Sequence, residues 1–232
     1  MLYTEEAVRA GLRVRDGRRV FYLPEGSRLT PAARDWLRQE GVTVVPHAET
    51  PPSAYRTPDG AAFAEKPEHM THLRGNILVP KTHPRIAFRG GIDTLEAELL
   101  LCAQAADGPL RQTLCAMLDF VRSLIRADVL DEPVGAIELC GYTPEQLREY
   151  SHYPEKHFGQ PHFLACYTDG PALLAVNKLR TVVRQTELAA YAAFRDADGN
   201  VTRGDMILGL NRLSSLMWIF MIKLKAGRYE RK

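Results

Sequence analysis

Two stretches of the sequence predict a pair of long helices. LRTVVRQTELAAY occupies residues 179–191, and LNRLSSLMWIFMIKL occupies residues 210–224. In the first stretch an apolar stripe that includes Leu179 and Val183 recurs at helical spacing. The second stretch is apolar almost all the way round, which is typical of a buried helix. With a polar turn at residues 195–203, the two predict a helical hairpin in a bundle core.

Polar residues interrupt this apolar hairpin. Arg180, Arg184 and Glu187 stand at positions i, i+4 and i+7 of the first helix, so they share one face. Asn211 and Arg212 form a polar notch in the second helix. Buried charges of this kind contribute little to stability. A charged ligand would explain them, and a solvent-exposed ladder of ion pairs on the helix surface is the alternative.

Composition excludes several classes of protein. The chain has 232 residues, 45% hydrophobic content and a net charge of only +2, which argues against a nucleic-acid binder or a membrane-surface protein. Residues 1–12 carry charges throughout, and the densest apolar run, 213–224, is too short for a bilayer. The sequence therefore predicts a cytoplasmic protein.

The cysteines predict no metal site. With four scattered cysteines and no CxxC we expect no zinc site, and we expect Cys102 and Cys115 to be buried thiols.

The chain divides into three parts by pattern. Residues 1–47 predict a small α/β unit with a strand at 20–23, a helix that begins after Thr30-Pro31, and a second strand at 42–45. Residues 48–65 contain Pro51-Pro52 and Asp59-Gly60 and predict a linker or an exposed loop. Residues 66–232 then form the main helical domain.

Within the main domain, the first segment is predicted to be irregular. Residues 66–91 carry candidate anion ligands before a helix that begins at Ile92, with Asp93 in its first turn. Further helices are predicted at 110–130 and from Thr143, with an ordered loop at 151–168. The sum is an all-α bundle of four or five helices with an N-terminal α/β appendage. The candidate anion ligands of the irregular segment are Lys66, His69, Thr71, His72, Lys81, His83, Arg85 and Arg89.

Three motifs in order resemble a known family. They are KTHPRIAFRGGIDTL (81–95), LRTVVRQTE (179–187) and LNRLS (210–214). Together they resemble the ATP:corrinoid adenosyltransferases of the propanediol-utilization type, which have a ferritin-like helical bundle. Features shared with the ethanolamine-utilization branch make that branch the closer match. These features are Leu29 to Arg34, Thr71-His72-Leu73, Ile125 to Asp128, Glu132-Pro133 and Ser151-His152.

Three departures from the family pattern qualify the resemblance. Only the stretch 71–81 stands in place of a Thr/Gly-rich nucleotide-binding segment, and the sequence has no P-loop or Rossmann fingerprint. Gln185 replaces the second of two adjacent arginines. No cysteine precedes residue 102, so the metal-binding run of some branch members is missing, and we expect no metal beyond the Mg²⁺ that accompanies ATP.

The resemblance implies a reaction and a set of roles. Co(I) of a reduced corrinoid attacks C5′ of ATP, giving adenosylcobalamin and triphosphate, in support of ethanolamine catabolism. The implied partners are a flavoprotein reductase and a homo-oligomer, a trimer rather than a dimer, in the cytoplasm or inside a bacterial microcompartment. The implied catalytic residues are Arg180, Arg184 and Asp93, with Asp93 paired to Arg180, even across a subunit boundary. The implied ATP ligands are Thr71, His72, Lys81, Arg180, Arg184, Glu187 and Asn211, and the implied cobalamin contacts are Phe163 or, failing that, Tyr167.

Two other functions stay open from the sequence. A non-catalytic relative would hold or deliver a corrinoid, or dock in a microcompartment through residues 1–47. A transcriptional regulator would use the same N-terminal unit on DNA, although the near-neutral charge argues against it.

Overall fold

The computed structural model describes residues 2–15, 18–47 and 55–228. These residues divide between an N-terminal unit, Met1–Lys66, and a C-terminal unit, Pro67–Lys232. Of the predicted linker, residues 48–54 with Pro51-Pro52 lie outside the described part of the chain. The rest of it forms a short antiparallel hairpin around the predicted Asp59-Gly60 turn.

A parallel strand pair with a helix between its strands organises the N-terminal unit, as the sequence predicted. Val20 pairs with Thr43 in the register of β3 and β5. Thr30 caps α2, because its side chain accepts a hydrogen bond from the backbone of Ala33 at 3.2 Å. The elements in order are β1 Leu2–Tyr3, α1 Glu5–Ala10, β2 Arg13–Arg15, β3 Arg18–Pro24, β4 Arg28–Leu29, α2 Pro31–Gln39, β5 Thr43–His47, β6 Tyr55–Arg56 and β7 Ala62–Phe63.

The C-terminal unit is a helical bundle, which confirms the predicted fold class. Four helices of 22 or 23 residues form it, with α7 packed against both α3 and α8 and with α4 packed against α3. Two shorter helices, α5 and α6, pack against α8. The elements in order are β8 Met70–Arg74, β9 Ile77–Pro80, α3 Pro84–Ala105, α4 Gly108–Leu130, α5 Pro144–His152, α6 Pro154–Phe158, α7 Pro171–Ala193 and α8 Gly204–Lys225.

Helix α8 supplies the centre of the core. Leu213, Met217 and Phe220 are each at most 2% exposed. Gly209 lets α4 approach closely, because a Cβ atom there would lie 3.0 Å from Cζ of Phe120. By length and composition α8 is the one helix among the described residues that could cross a membrane, and 56% of its apolar window is buried in the bundle. Core helices of soluble proteins have the same composition.

The segment before the bundle is more regular than predicted. Strands β8 and β9 form a hairpin within residues 66–91, and α3 begins at Pro84 with His83 as its N-cap, not at Ile92. The prediction was wrong because Gly90-Gly91 was interpreted as a helix boundary. Gly91 instead lies inside α3, where its carbonyl accepts a hydrogen bond from Thr186 Oγ1 at 3.2 Å. Asp93 is therefore in the third turn, beyond the reach of the helix dipole.

Two smaller predictions also fail. The predicted loop 151–168 contains α6 and a 3₁₀ turn at Tyr167–Asp169, because Pro154 suits the first turn of a helix. Cys102 is buried as expected, but Cys115 is exposed. The apolar neighbours of Cys115 face the core while its own position on α4 faces outward.

Candidate functional site

A cavity of about 450 Å³ lies between α7, α8 and the segment that follows α5. Helix α7 presents Arg180 and Arg184 to it, one turn apart. Helix α8 presents Asn211 and Trp218, which share a face at i and i+7. The remaining lining residues are Ser151, His152, His162, Phe163, Leu164, Arg212, Ser214 and Ser215.

Three guanidinium groups of this cavity form no direct ion pair with a carboxylate in the described part of the chain. They belong to Arg180, Arg184 and Arg212. The Nε atoms of Arg180 and Arg212 are buried without a hydrogen-bond partner among those residues. Burial, and then the charge of Arg184, holds the pKa of Arg180 below its usual range. Buried donors and cations in this state are suited to bind an anion.

A short polar network crosses from α7 to α8 at one side of the cavity. Asn211 Nδ2 donates to Glu187 Oε1 at 2.8 Å, and Arg212 Nη2 donates to Asn211 Oδ1 at 2.7 Å. Arg212 Nη1 also donates to the Pro144 carbonyl at 3.4 Å. Glu187 is thus committed to Asn211, so the predicted alternative of a surface ladder along α7 is absent from the described residues. The network leaves the second carboxylate oxygen of Glu187 available as an acceptor.

An aromatic wall lies at another side of the cavity. The rings of His162 and Phe163 stack with Trp218, at centroid distances of 5.7 and 5.3 Å. The Arg180 guanidinium lies over the same indole, 5.4 Å from its centroid. Tyr167, the predicted substitute for Phe163, is 87% exposed and does not line the cavity. The wall combines flat apolar surface with one adjacent cation.

The structure brings together only part of the predicted site. Thr71 and His72 are on β8, Lys81 follows β9 and is exposed, and Asp93 is exposed on α3. None of them lines the cavity. Asp93 forms no ion pair with Arg180 or with any other residue that the structure describes. The predicted ligands that do meet at the cavity are Arg180, Arg184, Asn211 and Phe163, with Glu187 bound to Asn211.

Two predicted anion ligands have a structural role instead. Arg85 and Arg89 both bind the fully buried carboxylate of Asp128 near the end of α4, Arg85 through Nε at 2.8 Å and Arg89 through Nε at 2.6 Å. Arg89 also donates to the carbonyls of His72 and Leu73, at 3.1 and 2.6 Å. This Asp128 cluster ties β8 to the bundle and leaves neither guanidinium free for a ligand.

Two residues of the cavity received no ligand role of their own from the sequence. Arg212 was noted within the polar Asn-Arg-Leu-Ser run that a charged ligand would explain, and Trp218 lay within an apolar run. The helical spacing of Asn211, Ser215 and Trp218, at i, i+4 and i+7, is the signal that would have placed Trp218 beside the notch. In the described residues no group of three or more His, Cys, Asp or Glu side chains is arranged to hold a metal ion.

Sequence comparisons relate most of the chain to one protein family. Residues 62–224 match the family model described as cobalamin adenosyltransferase. The chain is 30% identical to the corrinoid adenosyltransferase EutT of Escherichia coli K12, over 94% of this chain and 90% of that protein. It is 28% identical to the protein of the same name from Salmonella typhimurium LT2, with the same coverage.

Solved structures of adenosyltransferases have the same helical fold as this chain. A phenylalanine-to-alanine variant of the PduO-type ATP:corrinoid adenosyltransferase from Lactobacillus reuteri, complexed with cobalamin and ATP, superposes with a TM-score of 0.51. The match covers 70% of this chain and 90% of that one, at 17% identity. A phenylalanine-to-histidine variant of that enzyme gives 0.52, at 16% identity over 70% and 87%. The family model, the relatives and the helical bundle together show that this chain belongs to the cobalamin adenosyltransferase family.

Proposed function

We propose that this protein transfers the 5′-deoxyadenosyl group of ATP to the Co(I) of a reduced corrinoid. The observation that carries the proposal is the set of three guanidinium groups that have no ion-pair partner among the described residues, beside an aromatic wall, in a chain of this family. Co(I) supplies the electron pair that forms the Co–C5′ bond. The C5′–O5′ bond breaks, and its electron pair leaves with triphosphate. Because the nucleophile is a metal ion, no general base is required.

The cations of the cavity suit the leaving group. Triphosphate carries roughly four negative charges at neutral pH, and a site that stabilises them lowers the barrier to its departure. Arg180 and Arg184 project from α7, and Arg212 from α8. Mg²⁺ enters as part of the nucleotide substrate. We assign the buried Nε atoms of Arg180 and Arg212 to phosphate oxygens, which supply the missing hydrogen-bond partners.

The ribose and the corrinoid have their own candidate contacts. Glu187 and Asn211 offer an acceptor and an amide to the ribose hydroxyls, which holds C5′ in line with cobalt. Phe163, stacked on Trp218, is the candidate for the lower corrinoid face, where a dry apolar surface favours Co(I). Tyr167 is exposed at the same segment and is the second candidate.

The remaining predicted ligands fit a site that is shared between subunits. Thr71, His72, Lys81 and Asp93 lie outside the cavity of their own chain. Asp93 is exposed and forms no ion pair within the described chain, and the terminal nitrogens of Arg180 have no carboxylate partner there either. A neighbouring copy that brings Asp93 to these nitrogens would give both groups an ion-pair partner and leave Arg180 Nε for phosphate. We therefore propose a homo-oligomer, a trimer by analogy with the propanediol type.

The physiological setting is proposed from the relatives. The name EutT of the bacterial relatives supports a role in ethanolamine catabolism. On that basis we propose that the enzyme acts in the cytoplasm or in a microcompartment, with a flavoprotein reductase as the source of Co(I).

An anaerobic assay tests the proposed reaction. Protein, ATP and chemically reduced cobalamin should give the adenosylated product, followed by its visible absorbance. Arg184→Ala should reduce kcat/KM about 10- to 100-fold, because it removes one charge-assisted contact to phosphate. Lys178→Ala is the matched control, since Lys178 is on the same helix but binds Glu98 outside the cavity. Tight corrinoid binding without product would refute the enzyme and favour the delivery protein.

A further inference from the structure

A segment of twelve residues, 159–170, borders the aromatic side of the cavity, and we call it the strap. It begins at Gly159 and ends at Gly170, with φ angles of 69° and 84°. Glycine adopts such angles without strain, so both ends suit a sharp change of chain direction. The strap carries His162 and Phe163 onto Trp218. Its middle is otherwise open to solvent, and Leu164 is 94% exposed.

One buried carboxylate fastens the strap to α8. The Asp169 side chain is only 3% exposed. Its Oδ2 accepts a hydrogen bond from the Cys166 backbone at 2.7 Å, and its Oδ1 binds the Lys225 ammonium group. The Cys166 hydrogen bond, and then the Lys225 contact, hold the pKa of Asp169 below its usual range. The carboxylate therefore stays charged at neutral pH and links the strap to the last turn of α8.

The same ammonium group also reaches the aromatic wall. Lys225 Nζ lies 5.4 Å from the centroid of Phe163, and the same ring stacks with Trp218. Trp218 and Lys225 are seven residues apart on α8, so they share one face. Phe163 is therefore held by an indole and by an ammonium group that itself is fixed by Asp169.

We propose that Asp169 and Lys225 are positioning residues that set where Phe163 stands on the aromatic wall, and so tune the binding of the corrinoid rather than of ATP. This inference rests on the proposed function. The selectivity follows from contact, since Lys225 lies over Phe163 but is 14 residues, or about 21 Å of helix, from Asn211 in the polar network. Arg180, the nearest proposed phosphate ligand, is linked to Phe163 through the indole of Trp218 and shares no hydrogen bond or ring contact with Lys225 in the described part of the chain.

A measurement without any ligand tests the positioning itself. The chain has two tryptophans and nine tyrosines, so Trp36→Phe leaves Trp218 as the only tryptophan, whose emission is excited selectively at wavelengths that tyrosine does not absorb. In that background Lys225→Met, which keeps the apolar stem, should increase acrylamide quenching of Trp218. Lys178→Met, which breaks a comparable ion pair elsewhere, should leave quenching unchanged. Unchanged quenching in Lys225→Met, with the fold intact by circular dichroism, would overturn the proposal.

Kinetics test the selectivity. Lys225→Met and Asp169→Asn should each raise the KM for cob(I)alamin about fivefold, the size expected of one partly exposed charged contact. The KM for ATP should stay the same, and Lys225→Arg should restore the corrinoid KM. Equal increases in both KM values would overturn the selectivity. If the wild-type protein forms no product, the proposed function fails, and the quenching experiment alone decides the positioning role.

Discussion

Removal of the Asp128 carboxylate should destabilise the bundle strongly. Asp128 is 0% exposed, and the two arginine side chains that bind it are each 17% exposed. In Asp128→Ala both guanidinium groups lose their counter-ion in a poorly solvated place. Breaking a buried ion pair from one side costs about 3–5 kcal/mol. Because the arginines keep some access to water, we expect the lower end, about 3 kcal/mol.

The assay is chemical and thermal unfolding followed by circular dichroism. For a domain of this size about 3 kcal/mol corresponds to a fall in Tm of about 6–12 °C. Asp131→Asn is the matched control, since Asp131 pairs with Arg74 where both side chains are at least half exposed, and asparagine tolerates the left-handed φ of 59° at this helix end. It should lose much less stability than Asp128→Ala, because exposed ion pairs contribute little. If Asp128→Ala loses no more than this control, water satisfies the two arginines and the Asp128 cluster is not what joins α3 to α4.

Two further predictions concern titratable groups. Hydrogen bonds from Arg203 lower the pKa of Asp205 to about 2, so this carboxylate contributes stability that is fully present above pH 3.8 and is lost as the pH falls through 2. After a discount for solvent screening that contribution is about 1 kcal/mol, and urea unfolding of Asp205→Asn and wild type at pH 7 should differ by this amount but converge near pH 2. Burial raises the pKa of Cys102 to about 11. A thiol reagent at pH 8 should therefore modify the exposed Cys115 and Cys166 quickly and Cys102 slowly. Equal modification rates for all four cysteines would contradict the buried position of Cys102.

The sequence was most informative where a pattern is local. The apolar repeat around Val183 and the run from Leu213 predicted α7 and α8, because helical periodicity depends on neighbours within seven residues. Cap residues such as Thr30 and Thr143 predicted helix starts for the same reason, and both side chains accept the expected backbone hydrogen bonds. The β8–β9 hairpin and the true start of α3 were missed because Gly90-Gly91 breaks a helix on propensity alone, whereas packing against α7 keeps it intact.

The site was harder to predict because its contacts are distant in sequence. Glu187 and Asn211 are joined across 24 positions, and Arg85 and Asp128 across 43. No local pattern distinguishes an arginine that binds a buried aspartate from one that is available to bind a phosphate group. Family resemblance separated Arg180 and Arg184 from the rest, but only the geometry showed that Arg212 completes the group.

The position of α8 in the chain has a consequence for synthesis. This helix supplies the centre of the core and one side of the cavity, yet it leaves the ribosome after α3, α4 and α7. Until then the apolar surface that the earlier helices bury against α8 has no partner, and transiently exposed surface of this kind favours aggregation. A nascent chain that stalls before Gly204 would therefore need a chaperone, and translation speed through residues 204–225 should affect the yield of folded protein.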